Sequence, residues 1–228
     1  MGNSPPRPAL ARPSLDVRRL GLVDYQAGLD LQQALVEDRR AGRIADTLLL
    51  LEHPPVITLG VRTGGKATNI IASEDELARQ GVTVFETGRG GDVTYHGPGQ
   101  LVGYPILDLN PDRRDVHRYV RDLEEALIVA VRALGIEARR VTGLTGIWVG
   151  ESGHEEKLAA IGVRISRWIT SHGFALNVAT DLRHFALIVP CGIADRGVTS
   201  IERLLGRPVP MPEVEDAVVE GMETVFAV

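Results

Sequence analysis

The segment DTLLLLEH (46–53) is a continuous apolar run with no polar alternation. That is the pattern of a strand buried inside a sheet, and it constrains this fold more than any other stretch. Around it, strand and helix patterns mix without regular alternation. LDVRRL (15–20), VTVFET (82–87) and LVGYPILDL (101–109) read as strands, as do segments near 146–150, 157–167 and 172–178. A helix is expected from Asp24, as its N-cap, to about Arg40. Ser73 and Glu76 form a capping box for a short helix. From Asp115, Val116, Tyr119, Val120, Leu123, Leu127, Ala130, Val131 and Leu134 recur at three and four. They make one apolar stripe, closed by Gly135. A last helix begins around Pro212. The expected class is α/β (α+β), a mixed β-sheet with flanking helices and not a doubly wound parallel one.

Composition narrows the function. The 228 residues are 44% hydrophobic and 24% charged, enough for a substantial core. A net charge of -5 argues against nucleic-acid binding, which needs a basic face. No apolar run reaches a membrane span, and the Pro-rich start (1–14) reads as a loose tail without a signal-peptide core. One cysteine cannot form an internal disulfide, so the expected compartment is a reducing cytoplasm. No metal-ligand spacing and no nucleotide-binding glycine loop is present. Only two lysines, Lys66 and Lys157, stand among the 25 basic residues. A lysine kept against that arginine bias marks a place where a cation that can lose its proton is needed.

Three stretches can carry chemistry. RGGDVTYHGPGQLVGYP (89–105) sets glycines where a backbone can approach a ligand. There Arg89 either holds a carboxylate or phosphate or caps a strand end, and the glycines equally serve a hairpin. In EEKLAAIGVRIS, Lys157 shares the parity of Ala159, Ile161, Val163 and Ile165. In a strand these point the same way, which places Lys157 at the end of an apolar face, where desolvation favours the neutral amine. The bland alternative is a lysine that snorkels to water. In IVPCGIADRGVTS (188–200), Pro190 and Gly192 put Cys191 at an edge or loop. Cys191 is then either a small buried hydrophobe or a nucleophile with His96, His172 or Lys157 as its base.

The pattern Arg89-Gly90-Gly91, Thr94-Tyr95-His96, Gly99-Gln100 and Tyr104 resembles the signature of the lipoyl(octanoyl) transferases. KLAAIGVRIS, HGFALNV and VPCGI resemble further blocks of that family in the same order, from about residue 15 to the C-terminus. Leu158 stands where Ile or Val is usual, and the tail is extra. The resemblance implies a single acyltransferase domain over 15–228, with the fold of biotin and lipoate ligases. It implies octanoyl transfer from acyl carrier protein to a lysine of lipoyl domains, in 2-oxoacid dehydrogenase complexes or the glycine cleavage H protein. The acyl group would pass through a thioester on Cys191. Lys157 would lower the thiol pKa and act as acid and base. Substrate contacts would come from Arg89, Gly90, Gly91, Asp92, Val93, Thr94, Tyr95 and His96. Ala160, Ile161 and Gly162, with Gly173, Phe174 and Ala175, would complete them. No cofactor, metal, nucleic acid or membrane is implied, and the compartment is the cytoplasm.

Thioester exchange is nearly balanced and amide formation is downhill, so this chemistry needs no ATP. A basic patch drawn from Arg62, Lys66, Arg139, Arg140 and Arg164 is expected to steer an acidic carrier. Three rivals predict different behaviour. An ATP-dependent lipoate or biotin ligase would not need Cys191. A binding scaffold would transfer nothing. A cysteine hydrolase would use His96 or His172 and release free acid.

Overall fold

Strand β1 (Asp16–Leu22) runs into Asp24, whose carboxylate accepts the Gln26 N–H and opens helix α1 (Tyr25–Arg40). The computed structural model describes residues 15–64, 69–189 and 196–226. The tail, Lys66 and Cys191 lie outside them. Strands β2 (Thr47–Glu52) and β3 (Val56–Leu59) follow, then α2 (Glu74–Arg79), capped by the Ser73 hydroxyl on the Glu76 N–H. Next come β4 (Thr83–Glu86), β5 (Val93–His96), β6 (Gln100–Ile106) and α3 (Val116–Ala133). The chain continues through β7 (Arg139–Val141), β8 (Leu144–Val149), β9 (Glu156–Ser166) and β10 (Ile169–Asn177). It ends with β11 (Gly197–Val198), α4 (Ile201–Leu205) and α5 (Met211–Phe226).

The large sheet has the order β1-β2-β6-β10-β9-β8-β7, with β11 beside β9. Most pairs are antiparallel, but β1 with β2 and β11 with β9 are parallel, so the sheet is mixed as the sequence predicts. A smaller sheet has the order β4-β3-β5.

The apolar run of β2 is buried on both faces. Leu48 and Leu50 join the core beneath α3 and α5, while Leu49 and Leu51 join the core beneath α1. Full burial of each leucine contributes about 1.5–3 kcal/mol. The stripe on α3 is covered as its spacing predicts, except that Val116 at its start is exposed. Glu124 on the same helix is fully buried, and its carboxylate accepts from Arg140 and from the Gly146 N–H. It ties α3 to the start of β8.

Two features deliver the site. The turn 88–92 bridges the sheets: Gly90 N–H donates to Val163 O of β9 (2.8 Å), while Arg62 N–H donates to Gly91 O (3.0 Å). Only glycine fits at 162, because a Cβ there would lie 2.7 Å from Gly90 O. The second feature is a β-bulge. Ile147 pairs with Ala159, but its neighbour Trp148 pairs with Lys157, leaving Leu158 as the extra residue.

Candidate active site

The bulge overturns the parity expected for Lys157. Leu158 and Ala159 both enter the core under α3, although they are consecutive. Lys157 therefore leaves the face of Ala159 and turns to the opposite one. There it lines a small cavity with Thr94, Gln100, Ala160, Ala175, Asn177, Phe185 and Val198. It is 8% exposed, and Nζ lies 4.8 Å from the centre of the Trp148 ring. The amine is seated over an aromatic face, in contrast to a lysine snorkelling to water.

That cavity shares Thr94, Ala160 and Ala175 with a larger one running along β9 and β10. Of the expected substrate-contacting positions, Arg89, Gly91, Asp92, Val93, Thr94 and His96 line it. So do Ala160, Ile161, Gly162, Gly173, Phe174 and Ala175. Gly90 is absent from that lining; its carbonyl takes an Arg89 N–H instead. Tyr95 is also absent. Its ring stacks on His184 at 4.9 Å and packs against Phe185 on the far side of β5, because successive strand residues face opposite ways. Tyr25, Tyr104 and His172 complete the lining. Tyr25 comes from the first turn of α1, and nothing in its local sequence marks it. Tyr104 belongs to the motif, whose residue order gave no role for it.

The polar groups of the site are spent on one another. Arg89 is 7% exposed and donates to Thr58 Oγ1 (Nε 3.2 Å, Nη2 2.8 Å) and Thr58 O (2.7 Å). These bonds hold the turn 88–92 against β3. Gln100 Nε2 donates to Tyr95 O and Asn177 Oδ1, so its Oε1 faces His96 Nδ1 at 2.7 Å. His96 must then carry its proton on Nδ1. Its Nε2 accepts from the Thr58 hydroxyl over a long 3.5 Å. Asn177 Nδ2 donates to Thr199 O, and Thr199 N–H donates to Lys157 O. One network thus joins Arg89, in the turn held by the small sheet, to the backbone of Lys157 in the large one.

Burial dominates the electrostatics. It pushes His96 down to about 3, helped by the nearby His53 and Arg89 and opposed by Gln100. It lowers His172 to about 4, with Arg89 and Arg164 adding to the effect. Burial also raises Tyr25 to about 12 and holds Tyr104 well above the usual phenol value. His53 is lowered by the same cause; its Nδ1 donates to Val23 O (2.7 Å), and its Nε2 accepts from Tyr104 (2.8 Å). The histidines and tyrosines of the cavity lining are therefore neutral at pH 7; its other ionisable residues are Arg89 and Asp92.

The expected basic patch is reduced. Arg139 pairs with Glu155, and Arg140 pairs with Glu124 and Glu125. The acidic stretch 150–156 gains a role: Glu155 also binds Arg196, whose guanidinium lies 6.0 Å from the Trp148 ring. Arg196 leads straight into β11, where Val198 pairs with Lys157. On the other side of the segment that carries Cys191, Val189 N–H donates to Asn69 O.

Among the described residues no group of three or more His, Cys, Asp or Glu can hold a metal ion, and no helix is long and apolar enough to cross a membrane.

Solved structures with this fold include protein ligases. A bipartite lipoate protein ligase of Thermoplasma acidophilum superposes with a TM-score of 0.68 at 18% identity, over 93% of this chain and 84% of that one. The biotin protein ligase of Aquifex aeolicus with biotin and ATP gives 0.57 at 15%, over 93% and 70%. A family model of the lipoyl protein ligase A/B catalytic domain matches residues 24–223. An octanoyltransferase of Rubrobacter xylanophilus is 55% identical over 217 residues, 94% of this chain and 95% of that protein. One of Myxococcus xanthus is 55% identical over 215 residues, 93% of this chain and 60% of that longer protein. The chain belongs to the lipoyl protein ligase A/B catalytic-domain family and, within it, to the octanoyltransferases, which are acyltransferases.

Proposed function

We propose that this acyltransferase moves an octanoyl group from acyl carrier protein to a lysine of a lipoyl domain, in the first step of making protein-bound lipoate in the cytoplasm. The observation that carries the reading is that the Lys157 cavity adjoins a larger, largely apolar one, the two sharing Thr94, Ala160 and Ala175. Support also comes from the chain around Cys191. On one side Phe185 lines the Lys157 cavity, and on the other Val198 does.

In this reading Cys191 attacks the carrier thioester as Lys157 accepts the thiol proton. The carbon–sulfur bond to the carrier breaks, and the carrier's pantetheine thiol leaves with that proton. The acceptor lysine, as a neutral amine, then attacks the new thioester. An amide forms, the Cys191 thiol is released, and Lys157 relays the proton. Donors are needed for the tetrahedral oxyanion, and backbone N–H groups of the glycine-rich segments are the candidates. Arginine cannot do the work of Lys157 because it does not give up its proton.

The test is intact-protein mass after brief mixing with octanoyl-acyl carrier protein, without ATP. Wild type should gain one octanoyl group and lose it on addition of a lipoyl domain, while Cys191→Ser gains none. Activity that survives in Cys191→Ser and depends on ATP with free octanoate would favour the ligase chemistry of the structural relatives.

A further inference from the structure

The cavities lie in sequence along β9 and β10. The Lys157 cavity comes first, and the larger cavity around Ala160–Gly162 comes second. Beyond it lies an open polar groove between α1, the residues after β4 and the β9–β10 turn, bordered by Gln33, Arg40, Gly88, Arg164 and Ser171. Among the described residues, His172 alone lines both the second cavity and the groove.

We propose that His172 is the end wall of the acyl pocket and determines the chain length this enzyme accepts. The inference rests on the transfer reading above and names the specificity of its substrate site. Ala160 pairs with Ala175 where the two cavities meet, and Val163 pairs with His172 three rungs further on. Three rungs span about 10 Å at about 3.3 Å per residue, close to an extended eight-carbon chain. A longer chain meets the imidazole before it reaches the groove.

The backbone is built to hold this wall. His172 has a φ of +53°, in the left-handed region that a non-glycine residue occupies only when its surroundings compel it. The compulsion is visible. Its N–H turns toward α1 and donates to Gln32 Oε1 at 2.7 Å, and its ring meets Tyr104 edge-on at 6.2 Å. The residue is buried, and its neutral ring leaves no charge against the methyl end of a chain.

His172→Gly is the informative variant, because glycine adopts this φ freely and removes the ring. His172→Asn, which also tolerates the left-handed region, is the second. Transfer to a lipoyl domain is measured with octanoyl-, decanoyl- and dodecanoyl-acyl carrier protein. The kcat/KM ratio of dodecanoyl to octanoyl should rise about tenfold or more in His172→Gly, and less in His172→Asn. An unchanged ratio in both variants overturns the wall. Calorimetric titration with octanoate and dodecanoate separates this inference from the reading beneath it. If wild type transfers nothing yet the variants bind dodecanoate relatively better, the transfer reading fails and the wall stands. If the binding ratio is also unchanged, the wall falls.

Discussion

Lys157 and Trp148 face each other across a β-bulge, with Nζ 4.8 Å from the ring centre. The bulge supplies the direction and the ring supplies the seat. Both act on the same atom, Nζ, of a residue that lines the small cavity.

Removing the seat should cost turnover. Lys157 becomes a cation when it takes the thiol proton, and a cation over an aromatic ring is worth about 0.5–2 kcal/mol, so Trp148→Leu should slow transfer by about two- to thirtyfold at a temperature where the variant stays folded. Trp148→Phe keeps a ring and should retain most of the rate. Equal rates for wild type and the leucine variant, measured with octanoyl-acyl carrier protein, would remove Trp148 from the positioning of Lys157.

Stability should depend on acid through the buried histidines. His96 and His172 have folded values of about 3 and 4, below the ordinary 6.5 they regain when unfolded. The unfolded chain therefore binds more protons below 6.5. The stability that they contribute is complete above that pH and is lost as pH falls toward 4 and 3. Each should add a slope of about 1.4 kcal/mol per pH unit. Urea unfolding at pH 7, 6 and 5 reads the slope, and His96→Asn should remove its own share and leave those of His172 and of His53, which burial also lowers.

The close approach of the glycine turn to β9 makes another prediction. Gly162→Ala places a Cβ 2.7 Å from Gly90 O and 3.3 Å from Arg89 Cδ. Backbone must give way, and the Gly90–Val163 hydrogen bond is the first contact at risk. The variant should lose about 1–3 kcal/mol of stability and a larger share of turnover, because the displaced turn is a wall of the cavity. Thermal melts and initial rates together check it.

Gln100 holds three polar groups at once, those of His96, Tyr95 and Asn177. Gln100→Leu preserves volume approximately and strands all three. A loss of about 3 kcal/mol or more is expected, since each buried orphan costs about 1–3. A chemical-denaturation midpoint close to wild type would show that water replaces the amide.

The sequence alone determined the elements and their chemistry-bearing stretches. The β2 run, the Asp24 and Ser73 caps and the α3 stripe report local physics: periodicity and hydrogen bonds within a few residues. The motif blocks likewise marked most of the cavity lining. Only the tertiary structure decided which way the side chains face. One extra residue at Leu158 reverses Lys157, because strand facing has a period of two and a single insertion inverts it. Tyr95 turns away while Thr94 and His96 turn in for the same reason. Tyr25 and Gln32 reach the site from α1 by packing across the sheet, a contact that no local pattern records. Sequence spacing fixes neighbours along the chain; the direction of a side chain is settled by register and by what lies opposite it.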